Sequence, residues 1–176
     1  LSIWAHMAWE DSISSNFLEL IYNSISLSAI ASIVSLITAF LITYCQRTIP
    51  TQSIQLIVRL SSIGYALPGT IIGVGVIIPL AYIDHKVDSL LSIYFDVSIG
   101  LILSGSLVAL QFAYLVRFLS ISISTVESGL EKIRPNMDKT SRLLGISSEE
   151  TFFRVHLPIL KISILTSLLL VFVDVI

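Results

Sequence analysis

The chain has 176 residues, 55% of them hydrophobic and 12% charged, with a formal net charge of −2 and a mean hydropathy of +0.92. A soluble domain carries about 25% charged residues, so the composition excludes an ordinary water-soluble fold and describes a membrane protein. One cysteine, Cys45, excludes an intrachain disulfide, and no basic run marks a nucleic-acid partner.

The first stretch, Leu1–Trp9, lacks a basic start and is followed by Glu10 and Asp11 rather than a small-residue cleavage site. A signal peptide is therefore not the better reading of this start. With Trp4 and Trp9 placed for a lipid–water boundary, residues 1–17 are expected to be an external linker or the tail of a preceding span. Three windows free of Asp, Glu, Lys, Arg and His follow: Ser24–Cys45 (22 residues), Leu60–Ile83 (24) and Val97–Val116 (20). Each meets the roughly 20 residues that a helix needs to cross about 30 Å of hydrocarbon. Another uncharged run, Ile162–Val173, precedes Asp174. The expected fold is an all-α polytopic transmembrane helical bundle over residues 18–176. Its spans are expected near 20–45, 60–83, 97–118 and from 162 through 176, the chain being cut before its last span.

The first span carries Ser24, Ser26, Ser28, Ala29, Ala31, Ser32, Ser35 and Ala39, small residues that let helices approach closely inside a bundle. In the second, Pro68 removes a backbone hydrogen bond and should kink or interrupt the helix. Gly69 and Gly73 have GxxxG spacing, which serves either a packing surface or a helix lining a moving pathway. Asp84–Asp96 begins polar and ends apolar, as a short interfacial segment outside the membrane would. After the third span, Leu119, Ile123, Val126, Leu130 and Ile133 recur at spacings of four and three. That is one face of an amphipathic helix, expected to continue the span rigidly and to stop at Pro135.

The cations fix an orientation. Arg47, Arg59, Arg117, Lys132, Arg134, Lys139, Arg142, Arg154 and Lys161 fall on one side and Lys86 alone on the other. The positive-inside rule then places 46–59 and 117–161 in the cytoplasm and Asp84–Asp96 outside.

Between the third and fourth spans lies a polar hairpin, 136–160. Asn136 is expected to cap a helix over Met137–Leu144, and Gly145 to end it in a left-handed turn. Ser147 is expected to cap the next helix, with Glu150 closing a capping box, and Glu149 and Glu150 complement its positive end. Phe152 and Phe153 follow. They present an aromatic surface either to a partner's groove or beneath the protein's own loops and lipid interface. Pro158 turns the chain back to the bilayer.

This hairpin resembles the cytoplasmic EAA loop of binding-protein-dependent ABC importer permeases, a MetI-like transmembrane domain. Their pattern is Glu-Ala-Ala, three residues, Gly, nine residues, then Ile-x-Leu-Pro. Gly145 matches, and nine residues later come Val155, His156, Leu157 and Pro158, with Val for Ile. Lys139, Thr140 and Ser141 stand where Glu-Ala-Ala would, so the acidic position is reversed in charge while the other two stay small. By this resemblance the ATPase-coupling residues are Lys139, Thr140, Ser141, Gly145, Ser148, Glu149, Thr151, Phe152, Leu157 and Pro158.

Further likeness points to the ferric-iron group of these permeases, carried by Ser61–Pro79, by Leu170–Val175 and by Asn23 with Tyr44–Arg47. That group often fuses two permease modules in one chain, and the start of this sequence resembles a second module. The resemblance implies a bacterial inner-membrane permease that works with ABC ATPase subunits, a second permease module and a periplasmic substrate-binding protein. The ferric substrate would be delivered by that binding protein, and closure of the ATPases would rock the spans between two states. Permeases for thiamine, a polyamine or an oxyanion, or a non-transporting scaffold, are the alternatives.

The chain has no Gly-x-x-x-x-Gly-Lys-Ser/Thr loop, so ATP and Mg would be bound by the partner ATPase and no cofactor by this chain. His6, His85 and His156 are widely separated, with no metal-ligand spacing, which disfavours a membrane-embedded hydrolase; the expected chain is not an enzyme. Asp174, embedded in an apolar run, and Tyr65 beside Pro68 are the candidates for lining the substrate pathway.

Overall fold

The computed structural model describes residues 15–48, 51–95, 100–133, 135–143, 145 and 147–176. Expectations for Leu1–Trp9, Glu10, Asp11, Asp96, Arg134 and Leu144 lie outside the described residues. All regular structure among the described residues is helical: α1 (Ser15–Thr48), α2 (Gln52–Ile63), a 3-10 turn (Gly64–Ala66), α3 (Gly69–Phe95), α4 (Leu107–Leu130), α5 (Pro135–Leu143), α6 (Ser148–Thr151), a π-helical turn (Phe152–His156) and α7 (Leu157–Val175). Four stretches are long and apolar enough to cross a membrane: Phe17–Thr48, Gly69–Ile93, Leu107–Leu130 and Phe152–Val175.

Helices α1, α4 and α7 pack together around Val126, Leu130, Ile133 and Leu160, with Leu36, Phe40, Met137, Ile159 and Ile164 against them. Higher in the same seam the buried residues are small. Ser28, Ser32, Ser35 and Ala39 of α1, Ser122 of α4, and Ser163 and Ser167 of α7 are buried. Lipid tails are as apolar as leucine, so helices in a bilayer associate through close packing and interhelical hydrogen bonds rather than hydrophobic burial. At Gly129 α4 and α7 pack closely: a Cβ there would meet Ser163 Cβ at 2.8 Å and Leu160 Cδ2 at 2.9 Å. Gln111 Nε2 donates to the Leu27 carbonyl at 3.0 Å and ties α4 to α1.

The end of α4 is closed by a residue distant in sequence. The last four carbonyls of a helix lack intrahelical partners, and Arg47 of α1 donates to Leu130 O at 2.8 Å and Ile133 O at 3.0 Å. The expected amphipathic face is thus core: Ile123, Val126, Leu130 and Ile133 are all buried. The helix ends at Leu130, short of Pro135.

Three features differ from the sequence expectations. The third apolar window begins at Val97, but α4 begins at Leu107, because residues 100–106 form a turn with Gly100 at φ +66°. The segment expected to be interfacial is instead helix as far as Phe95, since no Gly or Pro interrupts Leu80–Phe95 and the helix has no reason to stop. Asp84, at the polar start of that segment, is 4% exposed. Its carboxylate accepts from the backbone N–H of Leu103 at 2.9 Å and Ser104 at 2.7 Å, and from the Ser104 hydroxyl at 2.8 Å. Asp88 accepts from the Gly100 N–H at 3.1 Å.

These bonds bind the turn before α4 to the side of α3. Asp84→Ala is expected to release them, so that amides 103 and 104 exchange with solvent roughly tenfold faster or more. Hydrogen exchange read at those two amides checks it.

The chain from α2 to α3 runs antiparallel to α4 along its whole length. Gly64 meets Val116, Gly69 meets Arg117, and Asp84 meets Leu103 and Ser104. At Gly64 the approach is backbone to backbone, and an added Cβ would collide with the Val116 carbonyl oxygen. Gly73 has nothing within 4 Å of such a Cβ. The close backbone approach is therefore at Gly64, while Gly69 faces the tip of the Arg117 side chain and Gly73 open space, so the GxxxG pair is not a packing pair within this chain. The interruption expected at Pro68 is present: a 3-10 turn at Gly64–Ala66, Leu67 extended at φ −84° and ψ 140°, then Pro68 before α3 restarts.

Candidate functional site

The hairpin is built from local signals. Helix α5 starts two residues earlier than expected, with Pro135 at its first position, where a missing N–H costs nothing. Asn136 lies inside the helix, its carbonyl accepting from the Thr140 hydroxyl at 2.8 Å. Gly145 has φ +74°, a left-handed conformation that costs other L-residues about 1–2 kcal/mol. Ser147 Oγ accepts from the Glu150 N–H at 3.2 Å, the expected N-cap. The reciprocal half of the capping box is replaced: the Glu150 carboxylate pairs with Arg154 at 2.8 Å. Both side chains are exposed, so this i,i+4 pair contributes no more than a few tenths of a kcal/mol.

The expected coupling residues divide into two sets. Ser141 and Thr151 are buried on the inner side of the hairpin, and Met137 reaches the bundle core. Thr140, Gly145, Leu157 and Pro158 are exposed. Lys139 falls within α5, and Ser148 and Glu149 open α6.

The two aromatics part company. Phe153 is 64% exposed. Phe152 turns inward, its ring centroid 5.9 Å from Phe40 and 6.1 Å from Tyr44 on α1, both edge-on, and 6.2 Å from the buried His156. Phe40 and Tyr44 themselves stack at 5.9 Å. The outward surface expected of both rings belongs to Phe153 alone, and Phe152 is a joint between the hairpin and α1. The sequence holds a signal for this joint: Phe40 and Tyr44, four apart, share one face of a helix.

That joint coincides with a π-helical turn, Phe152–His156, through which the hairpin passes into α7. Such turns interrupt an α-helix rarely and favour functional positions. Beside it, Thr43, Gln46, Arg47, Glu127, Leu130, Glu131 and Ile133 line an open cleft of about 490 Å³ between the ends of α1 and α4.

Of the expected pathway residues, Tyr65 and Pro68 are exposed in the interruption between α2 and α3, and Asp174 is exposed near the end of α7. The structure does not bring them together with the hairpin. Arg117, expected at the end of the third span, lies midway along α4, because that helix starts at Leu107 and runs on to Leu130. Its guanidinium lies against Gly69 and over the Phe118 ring, 5.4 Å from the centroid. Among the described residues, no group of three or more His, Cys, Asp or Glu side chains could hold a metal ion.

Four helices long and apolar enough to cross a membrane, with a polar hairpin packed against their core, make an all-α polytopic bundle. The family model for the inner membrane component of binding-protein-dependent transport systems matches residues 41–176. The chain belongs to that family. The match takes in the end of α1 from Leu41, the interrupted α2–α3 crossing, α4, the hairpin and α7, so every element described above except most of α1 lies within it. No curated protein and no solved structure matches the chain.

Proposed function

We propose that this permease forms the substrate pathway of an ATP-driven importer and that its hairpin, 135–156, is the element held by the ATPase. The orientation follows from the cations, which place the hairpin and the Arg47 end of α1 in the cytoplasm and the Asp84 end outside. The partners are ABC ATPase subunits, a second permease module and a periplasmic binding protein that delivers substrate to the outer face. ATP and Mg reside on the ATPase. The resemblance of Ser61–Pro79 and Leu170–Val175 to ferric-iron permeases makes ferric iron the proposed cargo.

The observation that carries the coupling role is the way the hairpin is attached. A lever must be stiff where it meets its load and open where it is gripped. Met137, Ser141, Thr151 and Phe152 bind the inner side of the hairpin to the bundle, while Gly145 and Phe153 stand outside it. Lys139, in place of the usual acidic residue, alters the charge presented to the ATPase, while Thr140 and Ser141 stay small enough for close docking.

Gly145→Asp tests this reading. It forces a side chain into the left-handed turn and onto the gripped surface. The ATPase is expected to co-purify with the unaltered chain and to be lost from the variant. An ATPase retained equally by both removes the coupling role.

A further inference from the structure

We infer that Arg117 is the charge that reads the substrate midway through the membrane, and that the species passing it bears an oxyanion group, either free or as the ligand of an anionic metal chelate. The inference rests on the permease reading above and adds the chemical class of the cargo.

The depth of Arg117 follows from contacts along the whole of α4. Leu103 and Ser104 meet Asp84 at one end, Leu130 meets Arg47 at the other, and Val116 and Arg117 meet Gly64 and Gly69 between them. At 1.5 Å per residue, Arg117 stands roughly 15 Å from Leu107 and about 20 Å from Leu130. That is the middle of a hydrocarbon layer about 30 Å thick. A charge at that depth is costly, and such residues face a bundle interior or a water-filled path and mark ion or substrate routes.

No acidic partner meets this charge among the described residues. Among the described residues its guanidinium makes no ion pair, its one aromatic contact is Phe118, and its Nε is buried without a hydrogen-bond partner. Asp84 is committed to Leu103 and Ser104. Asp174 lies at a similar depth, eleven residues beyond the Ser163 that packs on Gly129, but the guanidinium turns to Gly69 on α3 instead.

The surface it turns to is itself unusual. The α-helix of the α2–α3 crossing is broken at this depth, by a 3-10 turn at Gly64–Ala66 and by extended Leu67 before Pro68, and Tyr65, Leu67 and Pro68 are exposed there. Irregular backbone at membrane depth persists only where it is buried in protein or lines a water-filled cavity. An interrupted crossing with exposed residues, beside a guanidinium that has no ion pair among the described residues, is therefore a wetted, positively charged station. A bare polyvalent cation is repelled at such a station. A carboxylate or phosphate oxygen is held there by a planar fork of N–H donors. Iron would accordingly pass as an anionic chelate.

The test uses the full chain with its ATPase in lipid nanodiscs, reading the shift of the thermal unfolding midpoint at constant ionic strength. The probes are orthophosphate, ferric citrate and, as cationic comparator, spermidine. One of the two anions should raise the midpoint and spermidine should not. A response to phosphate alone marks a free oxyanion, and one to ferric citrate alone marks the chelate. Arg117→Gln should abolish the response and Arg117→Lys should weaken it.

Gly69→Ala gives an independent reading, because its new methyl meets only the flexible tip of Arg117. The fold and the bound ATPase should survive while the guanidinium is displaced, and the anion concentration for half-maximal shift should rise about tenfold. Anion responses unchanged in Gly69→Ala and Arg117→Lys, a response to spermidine alone, or none from the unaltered chain overturns the inference. Failure of the ATPase to co-purify with the unaltered chain would instead remove the permease reading.

Discussion

Phe152→Ala should abolish ATP-driven uptake while leaving the ATPase bound and hydrolysing. A phenylalanine truncated in a core costs about 3–5 kcal/mol. Phe152 is half-buried, which brings the expected cost to about 2 kcal/mol and weakens the joint with Phe40 and Tyr44 on the order of thirtyfold. The gripped surface at Gly145 and Phe153 would be untouched, so the ATPase keeps its hold on a lever no longer fixed to its load. Uptake into proteoliposomes and ATP hydrolysis, measured on the same preparation, should separate. If both fall together with loss of the ATPase, Phe152 is a docking residue rather than a joint.

The second large effect is expected at Gly64. Its hypothetical Cβ collides with the backbone carbonyl of Val116 rather than with a side chain that could swing away. Gly64→Ala must therefore push the α2–α3 crossing off α4. Overpacking of this kind costs about 1–3 kcal/mol, and the upper end applies where backbone meets backbone. Gly73→Ala is the control, because its methyl enters open space and should leave stability unchanged. Thermal unfolding of the two variants in the same detergent checks the contrast, and a Gly64→Ala midpoint equal to that of Gly73→Ala would show that the two segments are not held in contact.

Much of this arrangement is legible in the residues. The apolar runs announce the crossing helices, Pro68 announces the interruption, and Gly145 and Ser147 announce the turn and the cap between α5 and α6. These signals are local: each depends on one residue's conformational freedom or on its own backbone neighbours. What the sequence hides is tertiary. A search for uncharged windows ends a span at the first cation, so it stops at Val116 and places Arg117 beyond the membrane. Yet α4 continues through that arginine as one helix to Leu130, long and apolar enough overall to cross a membrane. Asp84 reads as wet because its partners at Leu103 and Ser104 are brought to it only by the fold. Phe152 and Phe153 are adjacent and chemically identical, and only the position of α1 decides which of them turns inward.

The most direct test of the coupling account follows from that last difference. With Cys45 replaced by Ser, single cysteines at positions 152 and 153 would be exposed to a short thiol cross-linker in the assembled complex. The account predicts that Phe153→Cys links to the ATPase, and that Phe152→Cys links instead to a second cysteine placed at Tyr44. Cross-linking of position 152 but not 153 to the ATPase, or of neither, would contradict a hairpin fastened to α1 on one side and held by the ATPase on the other.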